Sequence, residues 1–196
     1  TNIVTTSEHS EDDLLRLVFT ACHPALSVDA RVALSLRVLG GLSVAEIAAA
    51  FLVSETAMAA RITRAKKALR DSHAEFEVPQ GEERARRLPD VLAVIYFIFN
   101  EGYSATSGEH WMRPYLSDEA IRLGRVIANL LPEEGEVHGL LALMQLQASR
   151  AAARTDSKGK PVLLLDQDRR RWDRTLITLR MRSLGQAYAA SEYVGP

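Results

Sequence analysis

Apolar residues recur at three- and four-residue spacing along most of the chain, and no stretch alternates polar with β-branched residues long enough for a strand. The pattern predicts an all-α protein. Four helices fit into the first 72 residues. The first is expected from about Asp12 to Cys22 and stops at His23-Pro24, because the residue before a proline avoids the α region. The second runs from about Val28 to Leu39 and ends at Gly40-Gly41, residues suited to a C-cap. The third starts at Ser43 and the fourth at Ser54. The polar break Glu77-Val78-Pro79-Gln80-Gly81 then sets the expected boundary between a domain of residues 1–78 and one of residues 79–196. Beyond it, helices are expected over about 82–100, 117–131, 136–154 and 168–190, with loops over 102–114 and 155–160. Pro132-Glu133-Glu134-Gly135 joins two of these helices into a hairpin, the unit of tetratricopeptide-like arrays, although no 34-residue period recurs.

The segment from Gly41 to Arg70 carries the densest set of local rules. Ser43 with Glu46 three residues later is a capping box, and Ile47, Ala48 and Phe51 form the buried stripe of a short helix. Leu52-Val53 makes a tight turn and Ser54 caps the next helix. At about 100° per residue, Met58, Ile62, Ala65 and Leu69 share one apolar stripe. Thr56, Ala60, Thr63 and Lys67 fall opposite, flanked by Ala59, Arg64, Lys66 and Arg70. Arg61 lies about 60° from the stripe, so its stem is expected to pack internally while its head reaches a phosphate or an acidic neighbour. Residues 54–70 hold five basic side chains against one acidic, Glu55. A solvated basic face would account for that charge cluster alone. Together with the two caps and the tight turn, it describes a helix-turn-helix whose second helix can enter the DNA major groove. Small residues allow close approach there, and cations neutralise phosphates.

Composition narrows the alternatives. With 196 residues, 47% hydrophobic and 25% charged, the chain is an ordinary globular protein of one large or two small domains. Its net charge of −1 excludes binding nucleic acid by bulk electrostatics, leaving only a local cluster. The single cysteine, Cys22, excludes a disulfide framework or a multi-cysteine metal site. The longest apolar run, Val91 to Phe99, is far short of a membrane span. Thr1 to Asp13 is polar and acidic, unlike a signal peptide, which points to the cytoplasm.

No phosphate-cradling loop, nucleophile elbow or zinc-ligand spacing appears, so neither an enzyme, a cofactor nor a metal is expected. Cys22-His23 reads as a packed thiol beside a helix stop rather than a ligand pair. Asp166-Gln167-Asp168, before Arg169-Arg170-Arg171, reads as a helix N-terminus capped by Asp166 or Asp168 rather than a carboxylate dyad. Glu101, near His110, reads as part of a helix C-cap that closes the apolar helix at Asn100.

The first four helices, above all Ser54 through Arg70, resemble region 4 of bacterial extracytoplasmic-function sigma factors. The recognition helix of that family ends in an Arg-x-x-Arg-Ala-Arg/Lys-x-x-Leu pattern, matched by Arg61, Arg64, Ala65, Lys66 and Leu69. The remainder resembles a subgroup with a helical, tetratricopeptide-like C-terminal extension. The phrases that carry this are Phe99-Asn100-Glu101-Gly102-Tyr103, Glu119-Ala120-Ile121-Arg122-Leu123, Gly139-Leu140-Leu141-Ala142-Leu143-Met144 and Asp166-Gln167-Asp168-Arg169.

The resemblance implies recognition of the promoter −35 element and docking on the β flap of RNA polymerase. DNA-facing positions would be Ser54, Thr56, Ala59, Ala60, Thr63, Arg64 and Lys67, with Arg61, Lys66 and Arg70 supplying further cationic contacts. Ala59 and Ala60 depart from the Lys or Arg followed by Ser of many relatives, which leaves apolar contact there, such as with a thymine methyl. Region 2 of such factors would precede Thr1, so residues 1–196 alone are expected to bind weakly and not to open a promoter. The extension is expected to regulate region 4 or polymerase engagement, with room for an intramolecular contact between the two.

Two other readings stand beside this one. The first is a one-component, ligand-sensing regulator binding a palindromic operator as a dimer. In the other, an interaction scaffold, the helix-turn-helix is only structural.

Overall fold

The computed structural model describes residues 2–104, 114–158 and 160–190. Among these residues it is all-α, with eight α-helices, three 3-10 turns and a single isolated β-bridge between Thr155 and Pro161. The chain divides into two compact units, Thr1–Ile95 and Tyr96–Pro196, and the break at Glu77–Gly81 lies inside the first.

The first unit holds α1 (Asn2–Ala21), α2 (Val28–Val38), α3 (Val44–Ala50), α4 (Glu55–Asp71) and the first part of α5 (Gly81–Ser104). Helix α1 begins well before Asp12. Polarity alone does not stop a helix, and residues 2–21 contain neither Pro nor Gly to break one. It ends where expected, ahead of Pro24. At the end of α2 the C-cap is Leu39, and Gly41, at φ +68°, supplies the left-handed residue that lets the chain turn into α3. Val18, Phe19, Leu36, Ile47 and Met58 form a core with no more than 1% exposure. Arg87 on α5 closes it from one side, donating to the Phe19 carbonyl at 2.7 Å with its guanidinium over the Phe19 ring. That carbonyl belongs to the last turn of α1, where a cation is favourable.

The second unit holds the rest of α5, then α6 (Pro114–Leu130), α7 (Gly135–Ser149) and α8 (Arg174–Ala190). The expected hairpin is present: α6 and α7 pack together across the turn Leu131–Glu134, and α8 packs along α7. Gly124 lets α6 and α7 approach closely, since a Cβ there would lie 2.9 Å from Cε of Met144 and that side-chain end would have to shift. Two buried polar side chains satisfy each other across α7 and α8, Ser183 donating to Gln145 at 3.1 Å.

Further boundaries also differ from the sequence expectation. Helix α5 runs through Asn100 and Glu101 to Ser104. Phe99 and Tyr103 stack one turn apart, and Arg154 both lies over the Tyr103 ring and donates to the Tyr103 carbonyl at 2.6 Å. A residue distant in sequence therefore caps the helix and carries it past the expected stop. Residues 105–113 of the expected loop, His110 among them, lie outside the described residues. Helix α7 stops at Ser149 and is followed by a 3-10 turn, Ala151–Ala153. The helix expected from Asp168 is split. Asp168 caps only a 3-10 turn, Arg169–Arg171, while Asp173 accepts from Leu176 N–H at 3.0 Å and starts α8. The Asp173 N–H in turn donates to the Ser149 carbonyl, which ties this second start to the end of α7.

Candidate nucleic-acid interface

Helix α3 is fixed at its start by a reciprocal cap. Ser43 Oγ accepts from Glu46 N–H at 3.1 Å, and Glu46 Oε2 accepts from Ser43 N–H at 2.7 Å. The Ser43 hydroxyl, then its backbone amide, hold the Glu46 carboxyl below its ordinary pKa. The helix ends with Val53 N–H bonding the Ala48 carbonyl and Leu52 N–H the Ala49 carbonyl, the paired bonds of a Schellman motif. Leu52 takes the left-handed position, φ +53°, which usually belongs to glycine. Ser54 then caps α4, accepting from Ala57 N–H at 3.2 Å. The short helix α3 and the longer α4 are thus joined by the tight turn that the sequence predicted at Leu52-Val53. At its far end α4 closes with a second Schellman motif, in which His73 is left-handed and Ala74 N–H reaches the Leu69 carbonyl.

Helix α4 divides by face as its sequence implied. Met58, Ile62 and Ala65 are buried, and Leu69 is half-buried. Ser54, Thr56, Ala59, Thr63, Arg64, Lys66, Lys67 and Arg70 are all exposed, while Ala60 and Arg61 are half-buried. The exposed surface is small and polar over the first two turns and cationic over the last three.

Arg61 turns to the side, its guanidinium 3.8 Å from the Asp29 carboxylate near the start of α2. Between α2 and α4 lies a shallow cleft of about 270 Å³, lined among others by Ser27, Asp29, Arg61 and Arg64. Two acidic residues outside the sequence expectation bear on this surface. Asp29 could be found only through the fold. Asp71 stands one residue past the Ser54–Arg70 stretch, and it accepts from Lys67 at 2.6 Å at i,i+4 spacing. That spacing is itself the sequence signal for the pair.

The remaining candidates resolve into structural roles. Cys22 is buried with its thiol 3.7 Å from Ser35 Oγ, and burial pushes its pKa up to about 11. His23 Nδ1 accepts from Ala25 N–H at 3.1 Å, and burial followed by the charge of Arg87 lowers its pKa. Asp168 accepts from the Arg170 backbone and pairs with its guanidinium, contacts that lower its pKa. Among the described residues, no three His, Cys, Asp or Glu side chains converge as metal ligands, and no helix is long and apolar enough to cross a membrane.

Residues 87–188 match a family of unknown function, DUF6596. The chain belongs to the DUF6596 family. Ahead of that match, residues 16–69, from within α1 to the end of α4, match the Sigma-70 region 4 family. The DUF6596 segment is therefore preceded by a Sigma-70 region 4 domain, consistent with part of an extracytoplasmic-function-like sigma factor carrying a C-terminal extension. Region 4 is a DNA-binding transcription-factor domain rather than an enzyme fold. The chain is also similar to an uncharacterized protein of Rhizobium meliloti (strain 1021), 50% identical over 179 residues, which are 91% of this chain and 42% of that protein. It thus spans about two-fifths of that relative's length. No solved structure matches.

Proposed function

We propose that this chain is the promoter-reading part of a sigma factor, in which α4 lies in the major groove of a −35 element. The observation that carries this reading is the face of α4 presented beyond a doubly capped turn, small and polar near Ser54 and cationic towards Arg70. Thr56, Thr63 and Arg64 would reach base edges, and Ala59 and Ala60 would offer apolar contact to thymine methyls. Lys66, Lys67 and Arg70 would neutralise phosphates, with Arg61 reaching one from beside Asp29.

The same unit would dock on the β flap of RNA polymerase, and the tetratricopeptide-like helices of the second unit would regulate that engagement in the cytoplasm. The Sigma-70 region 4 match supports the general role in DNA and polymerase binding. DNase footprinting of promoter duplexes, with and without core RNA polymerase, tests the proposal. The expected result is one protected −35-like site that strengthens when polymerase is added. A palindromic footprint indifferent to polymerase would replace this reading with that of a dimeric regulator, and no protection in either condition would end it.

A further inference from the structure

Between α7 and α8, the described residues of 154–173 form short 3-10 turns and one isolated β-bridge, and backbone and side chains tie this stretch down. Val162 N–H bonds the Arg154 carbonyl, and Asp156 N–H the Lys160 carbonyl. The Asp156 carboxylate accepts from the backbone of Lys158 and Lys160 at 2.8 and 2.9 Å. Gln167 donates to the Val162 carbonyl, and Arg171 to that of Thr155. On this frame Leu163, Leu164 and Leu165 are 74%, 49% and 90% exposed. Three consecutive leucines held towards water by a bonded turn form a contiguous apolar patch of the kind that marks an interaction site.

The surrounding charge selects the occupant. Residues 155–174 carry six cations and four carboxylates. Three of those carboxylates serve the protein's own turns: Asp156 holds its loop, Asp168 pairs with Arg170, and Asp173 caps α8. Arg169 and Arg174 are exposed cations that follow the leucines in the chain, Arg169 with its guanidinium 5.7 Å from the centre of the Trp172 ring. A second copy of this chain would bring the same cations against each other across a two-fold axis. An anionic lipid surface would have to accept Asp166, which directly follows Leu165. A partner helix with one apolar edge can place its carboxylates towards Arg169 and Arg174 and an uncharged side chain at Asp166, which neither rival surface can do.

We propose that the Leu163–Leu165 turn and its cationic flank dock an acidic amphipathic helix of a partner protein. The apolar edge of that helix would cover the leucines, while its carboxylates face Arg169 and Arg174. This surface lies outside the helix-turn-helix, so the proposal stands or falls apart from the reading of α4.

The test uses the full chain and a labelled synthetic helix of about 18 residues, with leucines at i, i+3, i+4 and i+7 and glutamates elsewhere. Its twin carries lysines for the glutamates. Fluorescence anisotropy should show the acidic peptide binding at least about 10-fold tighter than the basic one. The double variant Leu163→Ser/Leu165→Ser should weaken that binding by about 10-fold or more, with an unchanged circular dichroism spectrum because both side chains are exposed. Equal binding of the two peptides, no binding of the acidic one, or indifference to the double variant would overturn the proposal. Sedimentation of the chain alone and flotation with phosphatidylglycerol vesicles decide the rivals. Leucine-dependent dimerisation, or leucine-dependent vesicle binding without acidic-peptide binding, would assign the patch to a second copy or to a membrane instead.

Discussion

Helices α4 and α7 are of similar length, and they are specified by opposite means. Helix α4 buries three of its 17 residues, and α7 buries seven of 15. The ends of α4 are written locally, with Ser54 accepting from Ala57 N–H at one end and a Schellman motif at His73 at the other. At the start of α7 no side chain caps the helix; Glu134 occupies that position without a capping bond. Instead α7 is gripped by α6 and α8, with Met144 fully buried and His138 Nε2 at 3.0 Å from the Pro132 carbonyl. A helix that leaves most of its surface exposed cannot rely on burial, so its limits are encoded in its own caps. One enclosed by neighbours can leave its ends to them.

The largest expected effect tests the enclosed side. Met144→Ala removes a fully buried side chain that touches the Gly124 site, and it should lower unfolding free energy by about 2–5 kcal/mol in urea titrations. A loss below about 1 kcal/mol would mean that α7 is not held by packing.

Burial makes a second prediction in the first unit. The Cys22 thiol has a pKa of about 11 when folded, against an ordinary value of 9.0. Above pH 9 the unfolded chain therefore loses this proton first while the folded chain keeps it. Stability from this group is full below pH 9 and falls as pH rises from 9 to 11. The slope approaches about 1.4 kcal/mol per pH unit. Cys22→Ala should flatten that alkaline limb relative to the unaltered chain, and parallel limbs would contradict a buried thiol.

The exposed side of the comparison is sharpened by a pair of opposite changes on α4. Arg64→Ala should leave unfolding free energy within about 0.5 kcal/mol, because the side chain is exposed. On a −35 duplex it should cost about 10-fold in affinity and lower the salt slope by about one. Asp71→Ala frees Lys67 from its 2.6 Å partner and should raise affinity by a few-fold. If both substitutions act on stability instead, α4 belongs with α7 among the packed helices.

The same division explains how much could be read before the fold was known. Ser43, Glu46, Ser54 and the Met58–Ile62–Ala65 stripe act within a few residues of themselves, so the helix-turn-helix and its faces were legible. The stop of α5 was not, because the group that caps it, Arg154, lies 51 residues away and acts on the Tyr103 carbonyl. Nor was the split between Arg169–Arg171 and α8, which depends on Asp173 N–H meeting the Ser149 carbonyl at 2.8 Å. On the candidate interface, the five cations of α4 were visible in its sequence, whereas the partner of Arg61 was not. Asp29 sits 32 positions earlier and meets Arg61 only through the packing of α2 on α4.

The smallest expected effect concerns the turn that aims α4. Leu52 stands in the left-handed region at φ +53° with 66% of its surface exposed, so it bears the conformational cost of that region and gains little from burial. For a non-glycine residue that cost is about 1–2 kcal/mol, and asparagine tolerates the region better without glycine's loss of unfolded-state restraint. Leu52→Asn should therefore raise stability by about 0.5–1 kcal/mol, seen as a rise of a few degrees in Tm. The two backbone bonds from Leu52 and Val53 do not involve the side chain, so the turn should keep its geometry and DNA affinity should not fall. A drop in affinity with unchanged stability would instead give the exposed leucine a contact of its own, placing the turn as well as the helix among the surfaces that a partner reads.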